Sequence, residues 1–172
     1  MAGNVVIGIG NPLRGDDGLG PAVAESVSRA PWARKATVIT CHQLVPELTE
    51  PLSGADLAVF IDARANGQPG TIVCETVEPS RRPPAGTSHH FGPSLLLAAV
   101  QQLCGRCPRA FAVSLCGESF GYDERLSAPV TRALPRVVLC VHRLMAGRPA
   151  PLHDHRTTHP GLRRKRRGAP HA

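Results

Sequence analysis

The segment that most constrains this chain is Val5-Val6-Ile7-Gly8-Ile9-Gly10-Asn11-Pro12-Leu13-Arg14-Gly15-Asp16-Asp17-Gly18-Leu19-Gly20. An apolar run empties into a glycine-rich turn that holds two adjacent carboxylates. The run is β-branched and continuous rather than alternating, which suits a central parallel strand covered on both faces. Gly8 and Gly10 allow a tight exit. A helix is expected next, because Pro21 suits its first turn and Val23, Val27 and Ala30 recur at helical spacing. In open parallel sheets ligands occupy the crevice beyond the carboxyl ends of the strands, so Asp16 and Asp17 sit where chemistry is expected. Successive residues point in different directions. One acid can therefore face the crevice while the other caps the helix.

The nearest generic motif is the dinucleotide fingerprint G-x-G-x-x-G, whose third glycine packs helix on strand. Here that position is Leu13. Two carboxylates beside the turn would also repel a pyrophosphate that needs a bare helix N-terminus. A helix cap, worth roughly 1 kcal/mol, accounts for one acid but not for two.

Down the chain, Ala36 to Cys41 reads as a second strand and Pro46-Glu-Leu-Thr-Glu50 as a short helical piece. Leu57 to Asp62 is a third strand whose last residue is again an acid at a strand end. The connection from Ala63 to Gly70 is too short for a helical crossover, so Thr71 to Val77 is expected to run antiparallel to its predecessor near the sheet edge. Residues 78–88 form a loop ending at Thr87-Ser88-His89-His90. Gly92 to Cys104 is apolar around most of its circumference and is expected to be a largely buried helix. Ala110 to Leu115 is the last strand, followed by a helix with Ser127 as N-cap, Pro129 in its first turn and a kink at Pro135. Alternating strands and helices predict an α/β fold: a three-layer, doubly wound, mostly parallel sheet of about five strands with an antiparallel edge strand and helices on both faces.

The 172 residues suit one domain, and six aromatics among them argue against stacking platforms for bases or sugars. The formal charge of +7 is unevenly placed. Residues 151–172 hold six Lys/Arg and one acid, giving +5, so the other 150 residues carry only +2. We expect a folded domain over 1–147 and a disordered, basic His/Pro/Arg-rich tail over 148–172, in which His153, His155 and His159 are scattered rather than a metal site. Deleting residues 151–172 should leave the melting temperature and the activity unchanged, as a thermal melt and an activity assay would register. The N-terminal residues lack a basic n-region, a long apolar stretch and a cleavage site, so a cytoplasmic location is expected. The six cysteines then read as reduced thiols, with Cys74, Cys116 and Cys140 in apolar runs.

From the residues alone, the candidate site is Asp17 (or Asp16), Asp62 and His89 (or His90), brought together from three connections above the sheet. Two carboxylates and one imidazole form a mixed O/N set that leaves coordination positions open on a first-row divalent ion. Cys104-Gly-Arg-Cys107 has redox-motif spacing but lies at a helix end before Pro108, which favours a structural or incidental role. Serine-elbow, zinc-helix and P-loop motifs are missing from the sequence.

Residues 4–145 resemble the hydrogenase maturation endopeptidases, which trim the C-terminus of the large subunit of nickel-iron hydrogenases. The resemblance lies in Gly8-Ile-Gly10-Asn11 with Asp16-Asp17-Gly18 and Gly20, in Phe60-Ile-Asp62-Ala63, in Ser88-His89-His90-Phe91-Gly92, and in Leu126-Ser127-Ala-Pro-Val130. It implies that Asp17, Asp62 and His89 contact the nickel of the substrate, with His90 matching a variable neighbour. The implied enzyme is a peptidase that acts after nickel insertion and recognises a metal it does not own, with either Asp17 or Asp16 as general base toward water or the bound metal polarising the scissile carbonyl. Cadmium or zinc would be surrogates in crystals. The implied partner is the large-subunit precursor, with no nucleic acid or membrane, and the protein is expected to be a monomer. Cys41-His42-Gln43-Leu44-Val45-Pro46-Glu47-Leu48 departs from the Asp-Gly-Gly-Thr type of members acting on uptake hydrogenases. The alternatives from other classes are a non-catalytic, metal-responsive binding protein using the same Asp/Asp/His set and a nucleotide-binding α/β domain.

Overall fold

A computed structural model of the chain describes residues 3–80 and 91–149. Five strands, β1 (Gly3–Ile9), β2 (Thr37–Cys41), β3 (Ala55–Arg64), β4 (Ile72–Thr76) and β5 (Arg109–Cys116), form one sheet in the order β2-β1-β3-β5-β4. All neighbours are parallel except β4 with β5. The helices are α1 (Leu19–Ser28), α2 (Thr49–Ser53), α3 (Pro93–Cys104) and α4 (Ala128–Met145). Among the described residues no helix is long and apolar enough to cross a membrane.

The continuous apolar strands are explained by two cores. Val6, Leu57, Val59 and Ile61 pack with α1 and α4 on one face, while Val5, Ile7, Ala58 and Phe60 pack with Leu52 of α2 and Leu96, Leu97 and Val100 of α3 on the other. Side chains alternate across a strand, so a strand buried on both sides needs apolar residues at every position. The expected three-layer architecture is the one observed.

β1 leads through α1 to β2 on one side, and β2 leads through α2 to β3 on the other. The strand order therefore reverses at β1/β3, and a crevice opens at their carboxyl ends. Glycine permits the close contact there. A Cβ on Gly8 would overlap the Gly20 carbonyl, and one on Gly20 would overlap the Ile9 carbonyl, so α1 begins directly against the end of β1.

Four details differ from or refine the sequence reading. β4 is antiparallel and at the edge as expected, but β5 lies between it and its predecessor β3, pairing in parallel with β3 from Leu57–Arg109 to Arg64–Cys116. α3 is not largely buried. Leu96, Leu97 and Val100 face the core, whereas Gln101 to Cys104 are exposed, and Leu103 is 72% exposed where the helix runs past its neighbours. Ser127 stands at the N-cap position of α4, yet its hydroxyl makes no capping bond. α4 also continues as one helix across Pro135. The 148–172 tail expectation falls almost entirely outside the described residues.

Candidate active site

The turn after β1 is a short 3-10 helix, Gly15–Gly18, clamped from outside by the 117–126 loop. The Gly15 N–H donates to the Asp123 carbonyl at 2.6 Å and the Asp16 N–H to the Ser119 carbonyl at 2.8 Å. The carboxylate of Asp16 completes the clamp. One oxygen accepts the N–H of Glu118 (2.6 Å) and of Ser119 (2.9 Å), and the other accepts the N–H of Ser127 (2.7 Å). Asp16 is fully buried. Burial works to raise its pKa, but the three N–H donors prevail and hold the carboxyl below its ordinary value. The acid thus serves a helix start, though that of α4 rather than that of its own helix.

Asp17 turns the other way. One of its oxygens accepts the N–H of Asn11 at 2.9 Å, while the side-chain carbonyl of Asn11 accepts the N–H of Leu13 at 3.0 Å. This pair of short bonds fixes the turn around Gly10, where φ is +134° and a Cβ would overlap the Asp17 carbonyl. Asp17 lines a cleft of about 630 Å³, and so does Asp62 near the end of β3. The Asp62 carboxyl is pushed up to about 6: burial is the main cause, the Ala63 N–H opposes it, and the negative charge of Asp17 adds to it. A buried carboxyl whose ionisation is made costlier still by a neighbouring negative charge marks a place where a cation would be welcome. The Cys41 thiol at the end of β2 is raised by burial and by the charge of Asp62.

His89 and His90 lie outside the described residues. Phe91 and Gly92, which follow them directly, line the cleft at the start of α3. Among the described residues no three His, Cys, Asp or Glu side chains are grouped to hold a metal. The cleft also contains His42, Gln43 and Ser114, which sequence reasoning did not single out. His42 could have been found, since it follows β2 directly, at a carboxyl end like the acids. Ser114 could not. It enters only through its register opposite Asp62 in the β3–β5 pair. Cys104 and Cys107 are free thiols at the far end of α3, about 16 Å along the helix axis from its start at the cleft.

No family profile and no curated protein matches the sequence. Solved structures match it in shape. The [NiFe] hydrogenase maturation protease HycI from Thermococcus kodakarensis KOD1 superposes with a TM-score of 0.65 at 21% identity, over 84% of this chain and 93% of that one. The hydrogenase maturating endopeptidase HybD from E. coli does so with a TM-score of 0.68 at 19% identity, over 86% and 96%. This chain has the fold of the hydrogenase maturation proteases. The hydrogenase 2 maturation peptidase from Thaumarchaeota archaeon SCGC_AB-539-E09 agrees, with a TM-score of 0.64 at 21% identity over 84% and 98%. The likeness spans nearly the whole of each of these relatives.

Proposed function

We propose that this protein is an endopeptidase that removes the C-terminal peptide of a nickel-iron hydrogenase large subunit after nickel insertion, using the substrate's own metal for recognition. The observation that carries this reading is the pairing of Asp17 and Asp62 in one cleft at the switch point of a maturation-protease fold. A nickel ion seated in the precursor would relieve the mutual repulsion of the two carboxylates, and His89 would add an imidazole. The remaining coordination positions stay with the precursor's own ligands. Anchoring through that ion fixes the scissile peptide relative to the protease, which is positioning an ordinary side-chain pocket would otherwise supply. Asp17 is the general base toward water in this reading. Asp16 is set aside because its oxygens already accept three N–H bonds. The nucleotide alternative is disfavoured by the same acid-lined cleft, which repels phosphate.

The partner is the large-subunit precursor, met in the cytoplasm. The deciding experiment incubates the protein with nickel-loaded and nickel-free precursor and follows the large subunit by mass spectrometry. Shortening of the loaded form alone supports the reading, binding without shortening supports the metal-responsive binding protein, and equal shortening of both forms sinks metal-dependent recognition.

Crystals soaked in cadmium, zinc or nickel should show an ion with carboxylate oxygens of Asp17 and Asp62 at about 2.0–2.2 Å, the range for zinc. Binding should weaken with acidification. Asp62 holds its proton up to about pH 6, so below that value an incoming cation must displace the proton first. Titration calorimetry at pH 5 and pH 7 measures this. Equal affinity at the two values would exclude Asp62 from the coordination shell.

A further inference from the structure

We infer that the substrate's C-terminal segment docks as an added strand on the outer edge of β2, an inference that rests on the peptidase reading above. β2 ends the sheet, with β1 on one side and, among the described residues, no strand on the other. The bond from the Gly10 N–H to the Cys41 carbonyl, 2.9 Å, shows that Cys41, and with it Ile39 and Thr37, directs its backbone groups toward β1. Successive residues of a strand alternate, so the N–H and C=O of Val38 and Thr40 face outward.

The sequence of this edge, Thr37-Val-Ile-Thr-Cys41, contains no charge, no proline and no glycine, and its register with β1 shows no bulge. Those are the devices by which exposed edges refuse another chain. At the opposite edge β4 carries Glu75. An unguarded edge five residues long can pair with about 16 Å of extended peptide, and main-chain bonding of this kind is a standard mode of peptide recognition. Position supports it. β2 runs directly into the cleft, because the next two residues, His42 and Gln43, line its wall. A peptide paired with Val38 and Thr40 therefore passes on into the space bounded by Asp17 and Asp62. The outer edge of β4 is separated from β3 by β5 and offers no such route. Thr37 and Thr40 are exposed while Val38 and Ile39 are half-buried, leaving room beside the edge for the peptide's own side chains.

The test is Thr40→Pro, which removes one outward N–H and leaves the ladder to β1 intact, as edge prolines do. With nickel-loaded precursor the KM should rise roughly five- to tenfold, corresponding to one lost main-chain hydrogen bond, while kcat and the melting temperature stay near wild type. Val38→Pro should behave alike. Thr76→Pro, at the outward side of β4, should change nothing. If the proline variants of β2 unfold, amide exchange of the wild type answers instead: excess precursor should slow exchange at Val38 and Thr40. Unchanged KM in folded variants, or unchanged exchange while the precursor is cleaved, overturns strand addition and leaves the peptidase reading standing. Failure of the wild type to cleave the precursor overturns both.

Discussion

Asp16→Ala should be among the most destabilising single changes in this protein, with a loss of about 4 kcal/mol or more. The substitution deletes a fully buried carboxylate and leaves the N–H groups of Glu118, Ser119 and Ser127 without their acceptor. Each such orphaned donor costs about 1–3 kcal/mol. For a domain of this size the melting temperature should fall on the order of 10–15 °C. Asp16→Asn keeps one carbonyl oxygen but turns an amide N–H₂ toward donors, and should fall between the two. The pH dependence follows from the direction of the shift. Because the folded-state pKa lies below the ordinary value of 3.8, the carboxylate's contribution is complete above that value and is lost as pH falls through the folded one. The gap in stability between wild type and Asp16→Asn should therefore narrow in strong acid. Melting curves from pH 7 down to pH 2 measure it. A variant melting within 3 °C of wild type at pH 7 would show that the clamp between the first turn and the 117–126 loop is dispensable.

Asp17→Asn should abolish processing of the nickel-loaded precursor while leaving the fold intact. The amide can still accept the Asn11 N–H, so the turn keeps its shape, and only the charge that faces the cleft is lost. A missing general base alone costs about 10²–10⁴-fold in rate, and weaker anchoring of the metal adds to that. Asp62→Asn and His89→Ala should likewise stop processing, whereas serine at both Cys104 and Cys107 should not, since these thiols lie at the far end of α3. Mass spectrometry of the large subunit after incubation with each variant distinguishes the outcomes. Wild-type rates in Asp17→Asn, with its melting temperature unchanged, would defeat the proposed mechanism. The contrast with Asp16 is the sharper test, because neighbouring residues of identical chemistry are assigned opposite roles: one variant should lose stability, the other activity.

Much of this was legible in the order of residues. Val5 to Ile9 and Leu57 to Asp62 declare buried parallel strands because burial on both faces forbids alternation. The carboxyl-end rule then places Asp17 and Asp62 at the same end of the sheet. Glycines at 8, 10 and 20 mark a backbone approach that no side chain could share. What the sequence left open was decided by contacts between distant segments. Which of Asp16 and Asp17 turns inward depends on the N–H groups of Glu118, Ser119 and Ser127, more than a hundred residues away, which give one carboxylate its solvation in the interior and leave the other to the cleft. The raised pKa of Asp62 comes chiefly from burial, with the nearby charge of Asp17 adding to it, and local spacing encodes neither. Ser114 enters the cleft through the β3–β5 register, and β4 lies at the edge with β5 occupying the place beside β3. Local periodicity sets where a strand or helix forms, since it reflects which faces each segment must bury. Partners, registers and the environment of each charge belong to the packed chain, because they exist only once segments far apart in sequence share the same few ångströms.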